Sequence, residues 1–178
     1  MSEHPFSLIA FPNTNIPDIN ISGRIARQNN ILTIHYSLMG NVDLIRFPEI
    51  SSHPTRKDDL WKATCFEFFL AIPDGQYWEF NMSPSGNWNI YHMDAYRQVG
   101  LREESSMQRL QFSVRKDAEC VSLETNVDLN PILDEEKPIQ VGITTVIQTK
   151  DDHETYWALT HPGSQADFHL QECFILRL

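Results

Sequence analysis

Apolar and polar residues alternate with a period of two through most of this chain, and no stretch carries the i, i+3, i+4, i+7 apolar stripe of an amphipathic helix. In Leu32-Thr33-Ile34-His35-Tyr36-Ser37-Leu38 every second residue is apolar, which is the pattern of a strand with one face buried. The same alternation runs through Leu110, Phe112 and Val114, through Val121, Leu123 and Val127, and through Ile139, Val141, Ile143 and Ile147. Turn-forming residues separate these runs at Gln28-Asn29-Asn30, Pro73-Asp74-Gly75, Pro84-Ser85-Gly86-Asn87, Lys116-Asp117-Ala118-Glu119 and Lys150-Asp151-Asp152-His153. About ten strands at such spacing predict an all-β, two-sheet antiparallel β-sandwich, jelly-roll-like, rather than a parallel α/β sheet. Only residues 130–137, with Pro131 early, predict a short helical turn. Residues 41–57 read as a long loop able to overhang a site.

A chain of 178 residues fits one domain, 1–178, large enough to stand without disulfides. Its formal net charge of −10 repels a phosphate backbone, and no basic stripe offsets that field, so nucleic acid is not an expected partner. No apolar run reaches the ~20 residues of a membrane helix. The start of the chain, Met1 to Pro12, lacks the basic and apolar regions of a secretory signal. Cys65, Cys120 and Cys173 are odd in number and widely spaced, which suits buried thiols in a reducing compartment, and the expected location is cytoplasmic. The oligomeric state is left open.

The densest cluster of aromatic and polar residues lies between Arg56 and Arg97, across three expected strands at 61–72, 77–82 and 88–97. On the second, Trp78, Phe80 and Met82 alternate with Tyr77, Glu79 and Asn81, so one face is apolar. On the first, Phe66, Phe68 and Leu70 alternate with Glu67 and Phe69. A hairpin through residues 73–76 then sets Glu67, Glu79 and Asn81 together on the face turned away from the core. Rings beside carboxylates and amides suit a carbohydrate, whose C–H faces lie on aromatic rings and whose hydroxyls need paired acceptors. Trp61 and Trp88, near strand starts, and Tyr91 and Trp157 are the aromatic candidates, although a strand Trp is more often core. Arg97 offers a planar fork for a hydroxyl pair or carboxylate, or equally an ion pair with Asp94 or Glu79.

Asp59-Leu60-Trp61-Lys62-Ala63-Thr64-Cys65-Phe66-Glu67-Phe68-Phe69, followed by Tyr77-Trp78-Glu79-Phe80-Asn81-Met82-Ser83-Pro84-Ser85-Gly86-Asn87-Trp88, resembles DOMON-like proteins related to type 9 carbohydrate-binding modules. Tyr91, Asp94, Tyr96, Arg97 and Gly100 continue the pattern, as do His161-Pro162-Gly163 and Asp167-Phe168-His169. The resemblance implies a β-sandwich that holds a sugar, or in some DOMON relatives a haem, without catalysis. It marks Trp61, Glu67, Glu79, Asn81, Trp88 and Arg97 as characteristic positions. With Tyr91 they form the expected ligand-binding set for a carbohydrate or small polar ligand.

Other chemistries are less well supported by the residues. Glu67 and Glu79 could instead serve as the acid and base of a glycoside hydrolase. Haem ligation would need Met82 or Met93 with His161 or His169, yet Met82 is expected in the core, and no cofactor is expected. His92, His161 and His169 have no diagnostic metal spacing, and no metal site is expected. A GxSxG elbow, a phosphate loop and an HExxH helix are all missing from the sequence, so no catalytic residue is assigned. A protein-interaction module remains the plainest alternative, for which a large apolar patch on the solvent side would be the sign.

Overall fold

The computed structural model describes residues 3–12, 15–97, 102–135 and 137–178. The first strands are β1 (His4–Ser7), β2 (Ile9–Ala10), β3 (Ile19–Gln28), β4 (Ile31–Gly40), β5 (Cys65–Ala71), β6 (Tyr77–Met82) and β7 (Trp88–Met93). They are followed by β8 (Arg102–Glu103), β9 (Phe112–Lys116), β10 (Cys120–Asp128), β11 (Gln140–Gln148), β12 (Glu154–Ala158) and β13 (Leu176–Arg177). These thirteen strands form two antiparallel sheets, and the only helical pieces among the described residues are three 3₁₀ turns. The small sheet runs β1-β3-β4-β10-β9, and the large one β2-β12-β11-β5-β6-β7-β8, with β13 pairing beside β12 on β11. No described helix is long and apolar enough to cross a membrane.

Local chemistry sets the register. Asn29 and Asn30 both take positive φ, 48° and 59°, the backbone that a two-residue hairpin between twisted strands requires, and they pair Gln28 with Ile31. Between β5 and β6, Gly75 at φ 96° turns the chain while the Asp74 carboxylate accepts the Gln76 N–H at 3.0 Å. Between β6 and β7 the turn at Pro84 to Gly86 sets Met82 opposite Trp88. The expected strand at 61–72 is shorter than its pattern. Asp59 at φ 63° opens a 3₁₀ turn over Leu60–Lys62, and pairing begins at Cys65. Residues 130–135 make a single turn held by Leu133 N–H donating to Leu129 O, not a helix.

Between the sheets lies the main core, built from Ile34, Tyr36 and Leu38 of the small sheet against Phe66, Phe68, Phe80, Ile90, Val141 and Ile143 of the large one. Phe68 and Phe80, paired across β5 and β6, stack with centroids 4.2 Å apart. The large sheet is also covered on its outer side. Residues 159–175 cross back over it and bury Phe69, Ala71, Tyr77, Tyr91 and Met93 beneath Phe168, Leu170, Cys173 and Phe174. Every residue of β5 and β6 is therefore buried, whichever way it points.

The covering segment lies close to the sheet because Gly142 has no side chain. A Cβ there would stand 2.5 Å from the Phe174 ring. Phe174 instead stacks on Phe69, with centroids 5.4 Å apart and planes at 16°. The Gly142→Ala variant should lose about 1–3 kcal/mol in denaturant unfolding, as overpacked sites do, and should lose it through the outer layer. Hydrogen exchange checks the location, with faster exchange expected at residues 168–174 before β4 and β10 are affected.

Candidate functional site

The outer face of the large sheet carries its polar residues in rows fixed by strand pairing. One row runs Thr144, Glu67, Asn81, Asn89 across β11, β5, β6 and β7; the next runs Gly142, Phe69, Glu79, Tyr91. Glu67 and Glu79 are diagonal neighbours on adjacent strands, a relation that puts backbones about 7–8 Å apart and long side chains within reach. The covering segment leaves a cleft of about 360 Å³ above them, a size suited to a small ligand. Trp61, Tyr156 and Phe168 contribute half-exposed rings to it, and Glu154, Asp167, His169, Arg97 and Lys62 complete its polar lining. It reaches from β12 to β6, across about 14 Å of sheet at ordinary strand spacing.

Two buried carboxyl groups dominate its floor. Glu67 is 1% exposed; its Oε2 accepts a long hydrogen bond, 3.3 Å, from the Thr144 hydroxyl, and its Oε1 has no hydrogen-bond partner among the described residues. Burial first, and the neighbouring Glu79 charge second, push the Glu67 carboxyl well above the usual range. Glu79 is 5% exposed, and burial pushes it up to about 7, against the opposing pull of the Asn81 amide and the Arg97 guanidinium. Asn81 Nδ2 donates to Glu79 Oε1 at 2.9 Å. His169 Nε2 stands 3.8 Å from Glu79 Oε2, and burial, together with Arg97, brings this imidazole down to about 4, so it is neutral at pH 7.

One chain of hydrogen bonds orients the histidine. The Tyr77 hydroxyl oxygen accepts the Arg97 backbone N–H at 3.3 Å, which leaves the hydroxyl proton for His169 Nδ1 at 3.0 Å. The neutral ring then carries its own proton on Nε2, facing Glu79. Arg97 is held in the left-handed region at φ 44°, uncommon for a side chain of this size. Its guanidinium grips Asp167 with Nε at 3.1 Å and Nη2 at 2.9 Å, while the Tyr96 hydroxyl donates to the same carboxylate at 2.6 Å. Arg97 is therefore paired with Asp167, and Asp94 with Arg102.

Of the seven residues marked in the sequence, Trp61, Glu67, Glu79 and Arg97 line one cleft. Asn81 lies beneath it, bonded to Glu79. Tyr91 backs Trp61, ring to ring at 5.7 Å, and its hydroxyl donates to Asp58 at 2.7 Å. Trp88 is not with them. Paired with Met82, it points into the inter-sheet core, 8% exposed, with the Arg56 guanidinium 4.4 Å over its ring. Trp157 is also core, its indole N–H donating to the Thr155 hydroxyl at 3.0 Å. The loop at 41–57 overhangs a different groove, lined by Phe47, Ile50 and Phe112, which shares no residue with the cleft. Gly100 lies outside the described residues. Met82 faces the core, and the His161 ring meets the Ile9 carbonyl, so neither reaches the cleft. Among the described residues no three His, Cys, Asp or Glu side chains are grouped to hold a metal ion.

Asp167, Phe168, His169, Glu154 and Tyr156 also line the cleft but are not in the set expected to bind a sugar, although the first three belong to the motif of the resemblance and His169 is a candidate haem or metal ligand there. The first three sit on the irregular covering segment, where no period exists to show a face. Glu154 and Tyr156 lie on β12, whose alternation shows a face but not what stands opposite it.

No protein-family model matches the sequence, and no curated protein matches it either. Among solved structures, a candidate carbohydrate-binding protein from Bacteroides uniformis matches with a TM-score of 0.74 at 16% identity, over 98% of this chain and 84% of that one. A family 9 carbohydrate-binding module from Caldicellulosiruptor kristjanssonii, solved with glucose and with cellotriose, matches with a TM-score of 0.50 at 9% identity. Those matches cover 85% of this chain and 72% and 70% of the two module chains. The chain shares their fold. The expected β-sandwich is thus found both in the strand pairing and in the solved structures that it matches.

The buried groups make stability depend on pH in two opposing ways. The folded chain holds the Glu79 proton more tightly than the unfolded chain, so this contribution is full below about pH 4.5 and is lost as pH rises through about 7. His169 acts in reverse, its contribution being lost as pH falls from 6.5 through about 4. Thermal unfolding at stepped pH should show a maximum between these limits, and Glu79→Gln should weaken the alkaline limb, Glu67 supplying what remains of it, while leaving the acid limb in place.

Proposed function

We propose that this chain is a single-domain, non-catalytic binding module for a carbohydrate, held in the cleft over Glu67 and Glu79. The observation that carries this reading is the pairing, in one opening, of half-exposed rings with buried, oriented carboxyl groups and an Arg–Asp fork. A pyranose needs both kinds of surface: a ring face for its C–H groups and fixed acceptors for its hydroxyls. Trp61 is the ring best placed to stack, because Tyr91 behind it fixes its plane. That one module with this fold was solved holding glucose and cellotriose supports the same ligand class. The reading includes a DOMON-like, lectin-like relation to such modules and a cytoplasmic location, the latter supported by thiols that are unpaired at Cys65, Cys120 and Cys173. A net charge of −10 speaks against nucleic acid as a partner.

A second reading, glycoside hydrolysis by Glu67 and Glu79, draws on their diagonal placement and raised proton affinities. Each already accepts a hydrogen bond from the chain, Glu79 Oε1 from the Asn81 amide and Glu67 Oε2 from the Thr144 hydroxyl, which suits fixed acceptors better than groups that exchange protons with a substrate. Incubation with aryl glycosides should release no phenol; steady release abolished by Glu79→Gln would establish hydrolysis instead.

Calorimetric titration against a panel of mono- and oligosaccharides tests binding itself, and a panel without any heat of binding would overturn the proposal. Trp61→Ala should weaken a bound sugar about tenfold or more with little change in melting temperature. Trp88→Ala should act oppositely, costing about 3–5 kcal/mol of stability as a core truncation. Denaturant unfolding and titration of the two variants side by side check this contrast.

A further inference from the structure

The floor of the cleft is unbalanced in a way that a neutral sugar does not correct. Glu67 Oε1 is sealed from solvent and has no hydrogen-bond partner among the described residues, although Glu67 lines the cleft. A buried acceptor left without a donor costs as much as a lost hydrogen bond, and native structures supply one wherever they can. Beside it stands a second buried carboxyl, Glu79, on the adjacent strand.

The surrounding charges are already committed. Lys62 donates to Asp59 at 2.7 Å, Asp167 is gripped by Arg97, and Glu154 accepts the Tyr156 hydroxyl at 2.8 Å. His169 offers no positive charge at neutral pH. Cys65 and Tyr77 on the same strands, Tyr91 on β7 and Tyr36 from the opposite sheet are neutral there too, since burial pushes each of them up. Two acids therefore face the cleft with no cation of the chain bonded to them.

We propose that the cleft recognises its saccharide through a primary amino group, as an amino sugar, with the ammonium seated on Glu79 and the Glu67 carboxyl turning to bring Oε1 to it. This rests on the carbohydrate reading and narrows it. A hydroxyl could give Oε1 its missing donor but would leave the proton held by the pair in place and Glu79 without a charged partner. An ammonium brings three donors and a positive charge to both carboxyl groups at once. An N-acetylated sugar lacks that charge. With the ligand absent the pair shares a proton; when the ammonium enters, the carboxyl groups ionise against it and the proton leaves to the buffer.

Titration of the full chain with glucosamine, glucose and N-acetylglucosamine, in buffers of different ionisation enthalpy, reads both affinity and proton exchange. Glucosamine should bind about tenfold tighter or more than either neutral sugar. It should also release protons, and its affinity should rise between about pH 5.5 and 7 as the pair ionises. Glu79→Gln should bring glucosamine down to the affinity of glucose, with circular dichroism verifying its fold; the buffer series on the unmodified chain decides the matter if that variant does not fold. Binding of either neutral sugar as tightly as glucosamine, or glucosamine binding without proton release, overturns this inference and leaves the carbohydrate reading standing. Failure of all three sugars, and of the wider panel, overturns both.

Discussion

The large sheet is enclosed on both faces, and most of what is distinctive in this protein follows from that. A sandwich sheet ordinarily keeps one side wet, so outward residues need no internal partners. Here the outer side lies beneath the chain's own irregular segment, and each polar group on it must be satisfied by protein or by something that enters the cleft. Thr144, Asn81, Asn89 and Tyr77 find partners in the chain. Glu67 finds half of what it needs. The cleft is thus where the cover is incomplete and where polar demand beneath it is greatest.

Rigidity and chemistry have a common origin in this arrangement. Glu67 and Glu79 stand on neighbouring strands paired on both edges, so their separation is fixed by backbone ladders rather than by loops. The parts of the lining that lie outside the strands, Arg97 and Asp167, are tied to each other and to Tyr77 and His169. Burial raises the proton affinity of the acids and lowers that of the histidine, so the site is close to electrically neutral at pH 7 despite its many ionisable groups.

Period two showed how Glu67, Glu79 and Asn81 come to share a face, because a short turn leaves little freedom of register. The same rule could have placed Trp88. Once Met82 is given to the core, a turn at 83–87 sets Trp88 opposite it and on the same side. Its position near a strand start, next to a polar turn, suggested a rim ring, but strand parity decides orientation. Trp61 was harder to place, because Asp59 breaks the strand and puts the indole on a 3₁₀ turn. Asp167 and His169 stand in a motif of the resemblance, but no local pattern shows their place in the cleft: they act by lying across a distant sheet, and only the folded chain shows what they cover. The partner of Arg97 is hidden from the sequence for the same reason, with Asp94 closer in sequence and Asp167 closer in space.

Arg97 also shows how stability and recognition draw on this chain differently. Its backbone occupies a region that glycine enters without strain, so glycine at this position would ease the turn while removing the guanidinium from the cleft. That exchange would trade backbone strain against the loss of the Asp167 pair. The arginine in this conformation gives up backbone ease for a guanidinium that ties Asp167, and with it the covering segment, to the rim of the cleft.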